Sequence, residues 1–131
     1  MNIKDLPLQI ANPAFVASKN VEKNRDSLKG ILYNYQLPET INLRQLSSTD
    51  GLGKFLLEIY KDPGIDEWEL TYRHGHSKFT IDRVDSLYYA TAALLIEKKR
   101  TGKLTIFRTP CSGFFLTELG KALLIQNGLL S

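Results

Sequence analysis

The stretch Leu87-Tyr88-Tyr89-Ala90-Thr91-Ala92-Ala93-Leu94-Leu95-Ile96, followed at once by Glu97-Lys98-Lys99-Arg100-Thr101-Gly102, decides how this chain is read. Its first ten residues are apolar around most of a helical circumference, and such a helix belongs in a core or turns a face to a partner. Asp82 and Asp85 stand before it, where acidic groups suit a helix N-terminus. Three cations follow it, where positive charge answers the negative end of the helix dipole, and Gly102 offers a C-cap. The spacing predicts one long helix from Asp82 or Asp85 to Arg100.

Working outward from that segment, Leu104-Thr105-Ile106-Phe107-Arg108 reads as a strand, Thr109-Pro110-Cys111-Ser112-Gly113 as a turn, and Phe114-Phe115-Leu116 as a second strand. Thr117 is placed to N-cap a last helix with Glu118 in its first turn, and Leu119, Leu123 and Gln126 share one face of it. Asn127-Gly128 ends that helix, and Leu129 folds back in a Schellman closure. On the upstream side, Trp68, Leu70 and Tyr72 alternate with polar residues, as do Phe79 and Ile81. Joined by His74-Gly75-His76-Ser77, these predict a β-hairpin with one buried face.

Further upstream, Leu52, Phe55, Leu56, Ile59 and Tyr60 form one helical stripe. The N-capping cluster Ser47-Ser48-Thr49-Asp50 opens it and the turn Asp62-Pro63-Gly64 closes it. Asn12-Pro13 reads as a cap and first position of a helix reaching Leu28, with Gly30 ending it. Ile31-Leu32-Tyr33-Asn34-Tyr35 reads as a strand or a last turn, and Leu37-Pro38-Glu39 breaks regular structure. The expected fold is a single α+β domain with helices and two short β-hairpins. Residues 1–46 form its N-terminal helical or irregular segment. Residues 47–131 supply a helix, a hairpin, the long helix, a wing-like hairpin and a final helix.

The 131 residues carry 17 basic and 14 acidic side chains, 43% hydrophobic and 24% charged residues, an ordinary composition for one folded domain. It excludes a disordered tail, a collagen-like fibre and a long coiled coil. The longest apolar run is too short for a bilayer span, which needs ~18–20 residues. Met1-Asn2-Ile3-Lys4-Asp5 shows no basic start followed by an apolar block, and Cys111 has no second cysteine to pair with. The expectation is therefore a cytoplasmic protein without a membrane partner. Charge is segregated: residues 97–121 hold six basic and two acidic side chains, and the rest hold 11 and 12. A concentrated basic region is the electrostatic footprint of nucleic-acid binding, although solvated surface lysines give the same pattern.

Residues 83–124 resemble a winged-helix domain. The shared features are a long helix, the basic junction Glu97-Lys98-Lys99-Arg100-Thr101-Gly102, two strands around a turn, and the run Leu116-Thr117-Glu118-Leu119-Gly120-Lys121-Ala122-Leu123-Leu124 into the last helix. That run is similar to the wing-to-helix junction of bacterial winged-helix regulators. Within generous limits the likeness covers 45 of the 131 residues (82–126). It implies that Lys103 and Arg108 lie on wing strands, that Lys98, Lys99 and Arg100 end the helix before the wing, and that these cations touch phosphate. The sequence departs from the family where a base-reading helix would need exposed Arg, Lys, Asn, Gln or Ser, for only Arg83 and Ser86 are so placed. A hairpin also stands where the preceding helix of a helix-turn-helix would be. Some winged-helix modules serve instead as dimerisation units or complex subunits, a use that an apolar long helix suits.

Catalytic chemistry has little support. Gly51-Leu52-Gly53-Lys54 is too short for a phosphate loop. His74 and His76 read as exposed turn histidines, and two imidazoles do not make a metal site. Cys111 has only those histidines as a base and reads as an incidental thiol. No enzyme, cofactor or metal is expected. The leading expectation is a non-catalytic binding module that contacts nucleic acid, chiefly phosphate, through Lys98, Lys99, Arg100, Lys103 and Arg108. The alternative, motivated by the apolar run Leu87–Ile96 and the acidic stretch Asp62–Glu69, is a protein-interaction subunit, homodimer or inhibitor-type partner of a larger assembly, meeting its partner through Tyr88 and Tyr89, since tyrosines favour interfaces.

Overall fold

Local chemistry starts the first helix where the residue types require. Asn12 Oδ1 accepts the Phe15 N–H at 3.3 Å, and Pro13 occupies the first helical position, where its missing donor costs nothing. The structure is a computed structural model and describes residues 12–29, 41–66, 69–70, 81–104 and 106–130, without the side chains of 26–29 and 81–85. In it, α1 spans Pro13–Lys29 and α2 spans Gly51–Lys61. The α2 stripe buries Leu52, Phe55, Leu56 and Ile59, while Tyr60 stays outside. The segment 30–40, with its expected strand and proline break, lies outside the described residues.

After α2 the chain turns at Gly64, whose φ is +90°, and Ile65 makes one antiparallel bridge with Phe114. Asp66 then opens a helical turn: its Oδ1 accepts the Glu69 N–H at 2.7 Å and its carbonyl accepts the Leu70 N–H at 3.0 Å. This corrects the first expected hairpin wherever it can be seen. Glu69 and Leu70 are helical and Ile81 belongs to a helix, α3, that spans Ile81–Ala92. The remainder of that hairpin, His74 and His76 included, lies outside the described residues. Apolar–polar alternation pointed to a strand, but Asp66 and Glu69 also stand at capping-box spacing, and the cap decides.

The larger correction concerns the long helix. It stops at Ala92, eight residues before the expected end at Arg100. The Leu95 N–H donates to the Ala90 carbonyl at 2.9 Å and the Leu94 N–H to the Thr91 carbonyl at 3.2 Å, a complete Schellman closure. Leu94 takes the left-handed position at φ 61°, which glycine normally fills. Residues from other elements hold the reversal. Asn24 and Asn20 of α1 donate to the carbonyls of Ala92 and Ala93, each at 2.9 Å, and Thr117 Oγ1 donates to the Leu94 carbonyl at 2.6 Å.

Beyond the reversal the chain is a β-hairpin, β1 Ile96–Leu104 and β2 Pro110–Leu116, antiparallel, with Ile96 opposite Leu116 and Arg100 opposite Ser112. The register shifts between Arg100 and Leu104, where Gly102 takes φ +84°. Gly102 therefore serves a bulge and caps no helix. Thr117 caps the last helix, α4 Glu118–Gln126, as expected: its Oγ1 accepts the Gly120 N–H at 3.1 Å. Gly128 at φ +74° closes α4, with Leu129 N–H donating to the Leu124 carbonyl at 2.9 Å.

The described elements, four helices and one two-stranded antiparallel sheet, make a small α+β domain. α1 packs on α3 and α4, and α2 packs on α3, α4 and β2. Phe55, Leu56, Ile59, Leu70, Leu95, Leu123 and Leu124 fill the centre, each under 2% exposed. Two glycines allow close approaches that fix the hairpin. A Cβ on Gly113 would collide with the Gly64 carbonyl, and one on Gly120 with the Leu95 carbonyl. Gly113→Ala is expected to cost at least ~2 kcal/mol, because the obstacle is backbone and cannot swing away. Leu94→Gly should instead stabilise the fold by about 0.5–1 kcal/mol, the left-handed strain relieved less the flexibility glycine adds to the unfolded chain. Urea midpoints at constant slope read both; a destabilised Leu94→Gly would contradict the assignment of strain.

Candidate nucleic-acid interface

The hairpin is gripped at its base and exposed toward its tip. At its base, Ile96, Phe114 and Leu116 are buried, the Gly64 N–H donates to the Phe114 carbonyl at 2.8 Å, and the Phe114 N–H donates to the Ile65 carbonyl at 2.8 Å. Past Arg100 and Ser112 the described residues toward the tip are exposed apart from half-buried Thr101 and Cys111. Thr101 Oγ1 donates to the Cys111 carbonyl and accepts the Lys103 N–H, each at 3.4 Å, which ties the bulge across the strands.

The structure places the five cations of the sequence reading on this arm, though not as the resemblance implied. Lys98, Lys99 and Arg100 do not end a helix. They are β1 residues, and strand alternation divides them between two faces. Lys98 and Arg100 pair with Phe114 and Ser112 on the face that continues the core, and Lys99 lies on the other. Lys99 Nζ is 3.0 Å from a Glu97 carboxylate oxygen, so its charge is answered within the strand. Its ammonium also lies 4.9 Å from the centre of the Phe115 ring, and that of Lys98 lies 5.5 Å from the Phe114 ring. These are cation–π contacts of the ammonium groups themselves, made by residues that stay exposed. Lys103 occupies the distal half of β1 and Arg108 follows the turn, at φ 60°. Among the described residues Lys98, Arg100, Lys103 and Arg108 form no ion pair.

The turn itself lies earlier in the chain than the sequence suggested. Ile106 and Phe107, expected inside a strand, sit in the turn at the tip and are 90% and 83% exposed, with Leu104 beside them at 61%. An apolar tip on a charged arm was invisible to periodicity, because Leu-Thr-Ile-Phe has strand composition. The one local hint was Pro110, a residue that strands accept at their first position. Cys111, expected in a turn, is a half-buried residue of β2.

The other proposed contact residues change character. Tyr89 is 4% exposed and belongs to the core, so it cannot meet a partner; Tyr88 is half-buried against the same core. Ser86, the one candidate base reader on α3 whose side chain is described, is also buried. From Ser86 to Ala92 only Thr91 is exposed, and its hydroxyl donates to the Leu87 carbonyl at 2.8 Å. That half of α3 exposes one hydroxyl, already bonded within the helix, and no Arg, Lys, Asn or Gln for base edges. Among the described residues no three of His, Cys, Asp and Glu gather as metal ligands, and no helix is long and apolar enough to cross a membrane. Comparison with protein-family models, curated proteins and solved structures finds no match to this chain.

Burial raises the Tyr89 hydroxyl above its ordinary pKa of 10.0; the nearby Arg25 charge and a hydrogen bond with Ser18 pull weakly the other way. The folded state thus holds the Tyr89 proton more tightly than the unfolded chain does. Its contribution to stability is intact below pH 10 and is lost as pH rises through the folded-state pKa. Tyr89→Phe is expected to lose less stability than the parent between pH 9 and 11, read from urea midpoints across that range. Equal pH slopes for the two proteins would refute the burial of this hydroxyl.

Proposed function

We propose that this protein is a non-catalytic nucleic-acid-binding module of winged-helix character, whose β1–β2 hairpin is the wing and grips phosphate. One observation carries the reading: Lys98, Arg100, Lys103 and Arg108 are exposed along a single hairpin and, among the described residues, form no ion pair. The element order supports it. A bridge strand at Ile65, a helical turn capped by Asp66, α3, the hairpin and α4 follow one another as in winged-helix domains, and the helical turn stands where the sequence had suggested a strand. With the described half of α3 committed to the core, binding rests on backbone contacts, which position a protein without reading sequence.

The rival reading, a protein-interaction subunit, drew its support from the apolar run of residues 87–96, from the acidic stretch Asp62–Glu69 and from Tyr88 and Tyr89. The core absorbs most of that run, Leu87, Tyr89, Ala90, Ala92, Ala93, Leu95 and Ile96 all being buried. The phosphate reading therefore leads.

Four phosphate contacts imply a slope of log Kobs against log salt of about −3.6 on duplex DNA, a loss of roughly 150-fold between 50 and 200 mM salt. Arg100→Gln or Lys103→Gln should each flatten that slope by about 0.9 and weaken binding to all sequences alike. Lys99→Gln should leave the slope nearly unchanged, because Glu97 already neutralises that lysine. Fluorescence anisotropy on a labelled 30-bp duplex across a salt series measures all three. Unchanged binding by the Lys98→Glu, Arg100→Glu, Lys103→Glu triple variant would overturn the reading.

A further inference from the structure

A cavity of about 340 Å³ lies between α1, residues 41–42 and Tyr89 of α3, and no hairpin residue lines it. That volume suits a small molecule, since small-molecule sites run at ~300–1,000 Å³. Its walls are of two kinds: Val21 and Ile41 are apolar, while Ser18, Arg25 and Tyr89 carry donors. Tyr89 is buried too deeply to meet a macromolecule, yet it lines this cavity. Arg25 is the residue that the fold leaves unexplained. Its Nε–H is shut off from water and has no hydrogen-bond partner, a state that costs free energy and that native proteins rarely leave uncompensated. Its charge is unanswered as well, for among the described residues no carboxylate pairs with it. Glu22 lines the same cavity, but its carboxylate is turned to Lys19, 3.3 Å from the ammonium. The Asn42 side chain is likewise engaged, donating to Gln45 and accepting the Arg44 N–H. Ser18 and Tyr89 share one hydrogen bond, so of their two hydroxyl protons one is left to give.

We propose that this cavity binds a small monocarboxylate with an apolar body, its carboxylate on Arg25 and the Ser18–Tyr89 hydroxyl pair and its body against Val21 and Ile41. The site is separate from the hairpin and does not rest on the phosphate reading. One unanswered guanidinium matches one negative charge. A guanidinium presents its Nε–H and a terminal N–H as a planar fork that fits the two oxygens of a carboxylate. A turn about the last side-chain torsions of Arg25 brings the buried Nε–H onto the ligand, which supplies the partner that the protein does not. The remaining hydroxyl proton of the Ser18–Tyr89 pair serves a further lone pair of the same carboxylate. A phosphate monoester, with nearly two negative charges and three acceptor oxygens, asks for more cations and donors than these residues offer. A neutral ligand would leave the guanidinium charge unanswered, and a carboxylate without a hydrocarbon body would gain nothing from Val21 and Ile41.

The test uses the full chain with benzoate as the probe, and benzyl alcohol and inorganic phosphate as comparisons. In nitrogen-labelled protein the arginine Nε–H resonances stand apart from the backbone amides, and the signal that Arg25→Lys removes is that of Arg25. Benzoate is expected to shift this resonance along a saturable curve with a Kd of about 1 mM, and to leave the Arg44 and Arg100 signals in place. Equilibrium dialysis of radiolabelled benzoate then compares the variants. Arg25→Gln and Arg25→Lys should each weaken binding about tenfold or more, and Ser18→Ala roughly threefold. Arg25→Lys keeps the charge and loses the fork, so it separates a built site from attraction to any cation. Circular-dichroism melts verify the folds; Ser18→Ala, at an exposed helical position, serves if the arginine variants melt early. Benzyl alcohol or inorganic phosphate binding as tightly as benzoate would overturn the proposal. So would full retention of benzoate binding by Arg25→Lys or Ser18→Ala, or the absence of saturable benzoate binding by the unaltered protein.

Discussion

The C-terminal end of α3 is the constraint on which the rest of this structure depends. Within four residues, Ala92 to Leu95, the chain leaves a helix, takes a left-handed step at a leucine, and enters a strand. Three side chains from two other parts of the fold accept the task of holding it: Asn20 and Asn24 from α1 and Thr117 from the start of α4. The carbonyls they satisfy are the ones any helix end leaves without partners, and burying such groups unpaired costs ~1–3 kcal/mol each. Thr117 does double service, since its oxygen donates to Leu94 and accepts from Gly120. The Leu95 carbonyl accepts the Thr117 N–H at 3.0 Å and sits so close to Gly120 that only glycine fits there.

Everything the hairpin does follows from that reversal. Had the helix continued, Lys98, Lys99 and Arg100 would have capped its dipole and spent their charge locally. Because it stops, the same cations become strand residues on an arm that extends past the body, and alternation sorts them. Lys99 pairs with Glu97; its neighbours Lys98 and Arg100 lie on the other face and, among the described residues, pair with no carboxylate. The base of the arm is held by the Gly64 and Ile65 backbone and by buried Phe114 and Leu116, so the charges are presented on an anchored support.

Much of this was legible residue by residue. Asn12 with Pro13, the stripe of α2, the Thr117 cap and the Gly128 closure all appeared where local chemistry pointed, because each rests on contacts within a few residues. The helical turn at Asp66 was written in its capping spacing but was outweighed by an alternating pattern, and two local signals in conflict cannot be ranked without the packing they serve. The five cations were found by charge alone; their faces and the apolar tip beyond them were not, since a one-residue change of register reverses which side a strand residue occupies.

The two Schellman closures among the described residues divide what the sequence determines from what folding decides. At Gly128 the residue type announces the left-handed position, so the end of α4 could be read directly. At Leu94 nothing local announces it: the apolar run continues, cations and a glycine follow as they would at a helix end eight residues later, and leucine disfavours the conformation it adopts. Sequence alone determined the composition, the charge segregation, the starts of α1, α2 and α4 and the apolar stripe of α2. Tertiary structure decided where α3 ends, because the groups that make that end favourable, Asn20, Asn24, Thr117 and Gly120, are brought to it from 68 to 73 residues away on one side and from beyond the hairpin on the other.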